Sequence, residues 1–253
     1  VADLRDTLNL FARQFALALQ RSTRLPPGGA ADAGERADEE LLRSSTRHLP
    51  GAGWLVGLLS AFVFALVALL LRGSPGGPTL AAVGCVIATV LLTGAAQESA
   101  LFRTVDALEG RLPGAGSSAG FGTIALVLAI VARVTAIAAI GSVSEAGVLA
   151  ALFAAPVVSR FAPLLAAHWL GNGRDVDRPT VGIAALWCLP PLALMLLADG
   201  LAFLLLAMVA AAIGWVAVLR FFRNHAGALD DQRAATLQQA CEIAFYFGAA
   251  IGA

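Results

Sequence analysis

Three polar sets in an otherwise apolar chain have the residue types that phosphate chemistry uses. The first, QESALFRTVDALEGR at 97–111, sets Glu98, Asp106 and Glu109 beside Arg103 and Arg111. Carboxylates suit a hard cation such as Mg²⁺, and arginine forks suit phosphate oxygens. A solvated amphipathic helix would show the same pattern. The second, RFFRNHAGALDDQR at 220–233, places Asp230 and Asp231 between Arg223 and Arg233, again fit for metal and phosphate or for a charged turn. The third is Glu242, near Gln238 and Gln239 in the last apolar stretch. Arg133 and Arg160 lie inside apolar segments. A charge at mid-bilayer costs about 2.5–3.5 kcal/mol on insertion scales, so such residues face the bundle interior and a partner. The Gly-rich GAGSSAGFG at 114–122 could offer free N–H groups to a phosphate or serve as a flexible loop. There is no GxxxxGK[ST] or HExxH. Cys85, Cys188 and Cys241 sit in apolar segments without a CxxC pair, which points to ordinary buried thiols. His48, His168 and His225 are too scattered for a zinc site.

The elements that must position these groups are membrane helices. The chain is 58% hydrophobic and 13% charged, with mean hydropathy +0.80, against roughly 25% charged residues in a soluble domain. An all-α, polytopic transmembrane bundle is expected. A crossing helix needs about 20 apolar residues, and such stretches lie at 53–71, 79–96, 119–141, 146–169, 180–198 and 200–219. A seventh, at 237–253, is short and polar in its first half, so it is shallow or keeps that half inside the bundle. Residues 3–20 form an amphipathic helix with a stripe of Leu4, Leu8, Phe11, Phe15 and Leu19, suited to the membrane interface or to packing on the bundle. The opening Asp3, Arg5 and Asp6 leave no continuous apolar core for a cleavable signal peptide. A loop is expected at 26–36 and a short polar helix at 38–47. Residues 1–52 thus make a cytoplasmic or interfacial region and 53–253 the transmembrane domain.

All 17 basic residues are Arg. If the six long segments alternate, the N-terminal region and loops 97–118, 170–179 and 220–236 share one side with fourteen Arg, against Arg72 alone on the other. By the positive-inside rule that side is cytoplasmic. Net charge is zero, so nucleic acid is not an expected partner. Pro156 and Pro163 flank Arg160, and Pro190-Pro191 should break the fifth segment. Gly53 and Gly57 form a GxxxG, weak evidence for helix pairing in so Gly-rich a chain. Trp54, Trp169 and Trp215 lie near segment ends, as an interfacial belt would.

In order along nearly the whole chain, these segments resemble the cobalamin 5′-phosphate synthase (adenosylcobinamide-GDP ribazoletransferase) family. RSTRLPP at 21–27, with Arg24, resembles the family's F-F-T-R-[LIV]-P. HLPGAGWLVG at 48–57 keeps Pro50 and Gly53 of a second motif, and VVSRFA at 157–162 matches the embedded Ser-Arg as Ser159 and Arg160. Arg133 stands where many members have Lys, and CEIAFYFG at 241–248 resembles the ending with a Glu, here Glu242. The acidic signature T-G-[AG]-x-H-x-D-G-L-A-D-x-x-D-G becomes TGAAQESALFRTVDA at 93–107. Thr93, Gly94, Leu101 and Asp106 survive, whereas Gln97, Ser99 and Arg103 replace the His and the first two Asp. Glu98 matches a Glu that some members carry. A D-S-R-[ILV]-G-[TS]-[FY]-G segment becomes AGSSAGFG at 115–122, and the late G-G-x-T-G-D-x-x-G-A becomes GALDDQRAA at 227–235, keeping Gly227 with Asp230 and Asp231 displaced.

The resemblance implies a membrane transferase that joins α-ribazole 5′-phosphate to GDP-activated cobinamide, releasing GMP with Mg²⁺. It implies Asp106, Arg103, Arg160 and Glu242 as catalytic residues. Arg24, Arg133, Ser159, Arg223 and Gly227 would bind substrate, and Glu98, Asp106, Asp230 and Asp231 would hold metal. Because Arg103 cannot coordinate Mg²⁺, a second expectation is a non-catalytic relative that binds a corrinoid, a nucleotide or an intact synthase. A third is a small-solute transporter built on the embedded Arg133, Arg160 and Glu242, although no clear internal repeat supports it. The implied setting is the bacterial cytoplasmic membrane, with the bilayer and possible homo-oligomers as partners.

Overall fold

The computed structural model describes residues 2–24, 39–109, 120–170, 176–225 and 229–253, without the side chains of 2–4, 39 and 40. The expected loop at 26–36, most of the Gly-rich stretch, Arg111, Arg174 and Gly227 lie outside the described residues. Among those described, every element is helical: α1 (Ala2–Ser22), α2 (Glu39–Ser45) with a 3₁₀ turn (Thr46–His48), α3 (Leu49–Leu70), α4 (Gly77–Thr93), α5 (Ala96–Glu109), α6 (Phe121–Val143), α7 (Glu145–Leu170), α8 (Arg178–His225) and α9 (Asp231–Gly252).

Leu41–Leu70, α6, α7 and α8 are each long and apolar enough to cross a membrane, and α4 with α5 qualifies as one span bent by 85°. The chain is therefore a multi-pass membrane bundle. Its outward faces carry Leu66, Leu91, Leu128 and Ile213, all exposed, where lipid takes the place of water. α7 is the opposite case, almost wholly buried along its length.

Three departures from the expected elements matter for the site. The second expected segment ends early. Gly94 (φ +66°) and Ala95 (φ +57°) are consecutive left-handed residues that turn the chain between α4 and α5. The stretch after this turn is not a solvated loop. α5 lies against α6 and α9 and buries Gln97, Glu98, Ala100 and Thr104. The Thr104 and Thr236 hydroxyls meet at 2.9 Å.

The break expected at Pro190-Pro191 is instead at Gly200, whose φ of 83° and ψ of −172° interrupt α8. Proline's fixed φ is compatible with a helix; it removes one donor and bends the axis without ending it. At Gly200 the chain turns back. His168, near the end of α7, meets the Val176 carbonyl at 2.7 Å. Ser144, just before α7, donates to Asp199 at 2.8 Å. Beyond Gly200, Trp215 donates to the Ala162 carbonyl at 2.9 Å. The two arms of α8 therefore run along α7 in opposite senses, which preserves the two expected segments on either side of residue 199.

The last segment is part of a longer helix, the 22-residue α9. α9 is the helix around which α5, α6, α7 and α8 gather, with Gln239, Glu242, Phe245 and Tyr246 buried. Its polar half lies in the bundle.

The GxxxG pair carries more than its sequence context suggested. A Cβ on Gly53 would lie 2.6 Å from the Pro156 carbonyl oxygen, and one on Gly57 would lie 2.7 Å from that of Phe153. Only glycine lets α3 come this close to α7. At the same end α1 packs on the bundle through Phe11 and Phe15, which stack on Trp187. Trp54 donates to the Trp187 carbonyl at 3.0 Å. Leu8 and Leu10 remain exposed along α1. The three cysteines are free and buried, as expected.

Candidate anion-binding site

Four helices bring ionisable groups into the middle of the bundle. Arg133 on α6 pairs with Glu242 on α9, Nη2 to Oε1 at 2.7 Å, with both side chains no more than 4% exposed. The other Glu242 oxygen accepts the Ser159 hydroxyl at 3.3 Å. Tyr246, one turn beyond Glu242, places its ring 5.9 Å from the Arg133 guanidinium carbon. Arg160, on α7 beside Ser159, donates to the Pro156 carbonyl at 2.7 Å. Glu98 on α5 interacts electrostatically with both Arg133 and Glu242, and its buried Oε2 has no hydrogen-bond partner among the described residues. Two carboxylates against two guanidiniums leave the cluster formally neutral. That balance is what an interior site requires, because desolvating a charge is repaid only by a well-placed partner.

A cavity of about 610 Å³ opens beside this cluster, at the end of the bundle where the Arg-bearing segments meet. Arg21, Arg103 and Arg160 line it with Gln97, Ser99, Gln238 and Asp231. Its volume falls within the range of roughly 300–1,000 Å³ usual for small-molecule sites. Three guanidiniums against one carboxylate favour an anion. Arg160 is 5% exposed, so it joins the cavity to the buried cluster: its side chain reaches the wall while its charge is held by the interior.

The turn at Gly94 creates this wall. It swings α5 across the bundle so that Gln97, Ser99 and Arg103 face the cavity while Glu98 points inward. Arg24 packs over Gly94, where any Cβ would overlap its side chain. Arg24 donates its backbone N–H to the Leu92 carbonyl at 2.8 Å, so it braces the turn and does not line the cavity. The cavity arginine from that segment is Arg21, which opens the RSTRLPP stretch and which the motif alone does not mark as a site residue.

The remaining candidates go elsewhere. Asp106 accepts the Gly122 N–H at 2.9 Å and so holds the start of α6. Asp230 caps α9 through the Arg233 N–H at 2.8 Å, and Asp231, in the first turn of α9, touches the cavity rim. Glu98, Asp106, Asp230 and Asp231 are thus not gathered, and among the described residues no three His, Cys, Asp or Glu side chains could hold a metal ion. Arg223 lines a separate cavity with Trp169, Trp215 and Arg220. Outside the spans, Asp177 immediately precedes α8. The Thr180 hydroxyl beside it holds its carboxyl below the usual value, and it accepts the Thr180 N–H at 3.2 Å.

The chain matches the cobalamin-5-phosphate synthase family over residues 14–250. It is 34% identical over 273 residues to the adenosylcobinamide-GDP ribazoletransferase of Polaromonas naphthalenivorans, covering 95% of this chain and 98% of the relative. The protein of that name from Albidiferax ferrireducens is 34% identical over 280 residues, covering 97% and 100%. One from Rhizobium etli is 33% identical over 223 residues, covering 78% and 82%. No solved structure matches the chain.

Proposed function

Since the chain belongs to the cobalamin-5-phosphate synthase family, we propose that it serves vitamin B12 biosynthesis as a membrane-bound adenosylcobinamide-GDP ribazoletransferase. It would join α-ribazole 5′-phosphate to adenosylcobinamide-GDP and release GMP. The observation that carries this reading is the cavity lined by Arg21, Arg103 and Arg160. Both substrates are phosphate anions. When the bond between the two phosphates of the GDP portion breaks, negative charge grows on the departing GMP, and preplaced guanidiniums stabilise it without reorganising. Arg160 is the group best placed to do so, being nearly excluded from water and fixed by the Pro156 carbonyl. Glu242 and Arg133 act through it and Ser159, as positioning residues. Asp106 and Arg24 hold the two ends of the α5 segment in place.

Magnesium is implied by the resemblance alone, and the carboxylates it would need, Glu98, Asp106, Asp230 and Asp231, are not brought together among the described residues. The distribution of Arg supports a reading in which the cavity opens at the cytoplasmic face of a bacterial cytoplasmic membrane, with the N-terminus on that side. A corrinoid and a nucleotide are then the partners, supplied from the cytoplasm.

A second reading, a non-catalytic binder of the same ligands or of an intact synthase, is favoured by one observation. Ser99 and Arg103 face the cavity where the resemblance leads one to expect metal-binding aspartates. Purified protein given both substrates, with and without Mg²⁺, separates the two. GMP release supports the transferase. Tight binding of the activated cobinamide with no GMP supports the binder, and neither binding nor release refutes both.

A further inference from the structure

The cavity that took Arg223 away from the substrate site is itself built for a ligand. It measures about 510 Å³ and lies between the end of α7 and the second arm of α8, lined by Trp169, Trp215, Leu219, Arg220, Arg223 and Asn224 among others. Trp169 and Trp215 meet edge to face, centroids 6.1 Å apart at 88°. Trp215 is fixed by its bond to the Ala162 carbonyl, whereas Trp169 is 73% exposed. Arg220 and Arg223 are both exposed, and neither makes an ion pair within the described residues.

Depth decides what such a pocket can hold. Leu201, Leu205, Val209, Ile213 and Val216 form an exposed apolar stripe along the second arm of α8, and Arg220 continues it at helical spacing. At 1.5 Å per residue, Leu201 and Arg220 are about 28 Å apart, close to the roughly 30 Å thickness of the hydrocarbon core. If the stripe spans the acyl region, the guanidiniums emerge at headgroup level and the tryptophans lie at the boundary, the depth where their rings are favoured. A ligand here must carry an anionic head for two arginines and a hydrocarbon tail for Trp, Leu and Val. We propose that this cavity is a binding site for an anionic phospholipid of the surrounding bilayer, distinct from the Arg160 cavity, with which it shares no lining residue. Two arginines on one helical face, without an ion pair among the described residues and with an aromatic floor beside them, complement a phosphodiester at the interface.

The test is lipid retention by the full-length protein. It is reconstituted in nanodiscs of equal phosphatidylglycerol and phosphatidylcholine and extracted stepwise with mild detergent, and the retained lipid is counted by native mass spectrometry. Phosphatidylglycerol should be retained over phosphatidylcholine. Arg220→Gln/Arg223→Gln should cut that preference roughly thirtyfold, the surface attraction of two arginines expressed as a ratio. The single Arg223→Gln, milder for folding, should cut it about fivefold. Melting in pure phosphatidylcholine nanodiscs checks that the variants are folded. Equal retention of both lipids, or unchanged preference in a folded double variant, overturns the proposal. Displacement of phosphatidylglycerol by millimolar inorganic phosphate overturns it too, in favour of a site for soluble phosphate.

Discussion

Replacing Glu242 by glutamine removes one charge from the buried cluster while keeping its shape. Arg133 then loses the carboxylate it meets at 2.7 Å, and two interior guanidiniums face Glu98 alone. Breaking a buried pair from one side costs about 3–5 kcal/mol, because the surviving charge stays desolvated. Arg133→Met should cost a similar amount, leaving Glu242 without the guanidinium it meets at 2.7 Å and hydrogen-bonded to the Ser159 hydroxyl at 3.3 Å. The double variant Arg133→Met/Glu242→Gln removes both charges, so its cost should fall short of the sum of the two singles by about 2 kcal/mol or more. The assay is equilibrium unfolding of the detergent-solubilised protein with increasing SDS, followed by tryptophan fluorescence. In a thermal scan each single change should lower the midpoint by roughly 6–20 °C, taking 2–4 °C per kcal/mol for a chain of this size. Costs that add to within about 0.5 kcal/mol would mean the two residues are independent, and the buried pair would not be what holds α6 to α9.

Gly57→Leu should prevent folding or cost at least about 3 kcal/mol in the same SDS titration, since even a Cβ there would come 2.7 Å from the Phe153 carbonyl. Gly200→Ala should cost about 1–3 kcal/mol, because its φ of 83° and ψ of −172° suit essentially glycine alone. Pro190→Ala should leave the protein at least as stable in the SDS titration, as the helix already runs through that position and alanine is the better helix former. An alkaline phosphatase reporter inserted after Asp199 should be active outside the cell and one after His225 inactive; the reverse pattern would invert the proposed orientation.

Much of the bundle was legible from composition and charge. The apolar segments emerged near their expected places because a lipid-facing helix must be apolar along its whole exposed length. The embedded Arg133, Arg160 and Glu242 were conspicuous because burying a charge in lipid is costly, and the bundle brings all three to one cluster. The Ser-Arg and terminal Glu motifs therefore point to real neighbours. Local geometry was harder to see. Nothing in TGAA says that Ala95 joins Gly94 in the left-handed region, so the inward turn of α5 and the burial of Glu98 were not foreseen. Pro190-Pro191 drew attention from Gly200 because proline is the louder helix breaker, although glycine is what a reversal needs. Asp106, Asp230 and Asp231 look alike as carboxylates, and only the structure shows that Asp106 and Asp230 are engaged with the ends of neighbouring helices. Arg21 and Tyr246 lie within the family-like stretches, and Tyr246 could have been found by its spacing of one helical turn from Glu242.

Arg160 is where the family assignment and the cavity meet. The most direct measurement is the rate of GMP release from adenosylcobinamide-GDP and α-ribazole 5′-phosphate by purified wild-type protein and by Arg160→Lys and Arg160→Gln. Loss of one preplaced charged donor at a developing oxyanion costs about 10²–10³ in kcat. Arg160→Gln should fall by about that factor and Arg160→Lys by less, with both proteins folded and still bound to the membrane. Equal rates in all three would contradict a phosphate-stabilising role for Arg160, even if GMP is released.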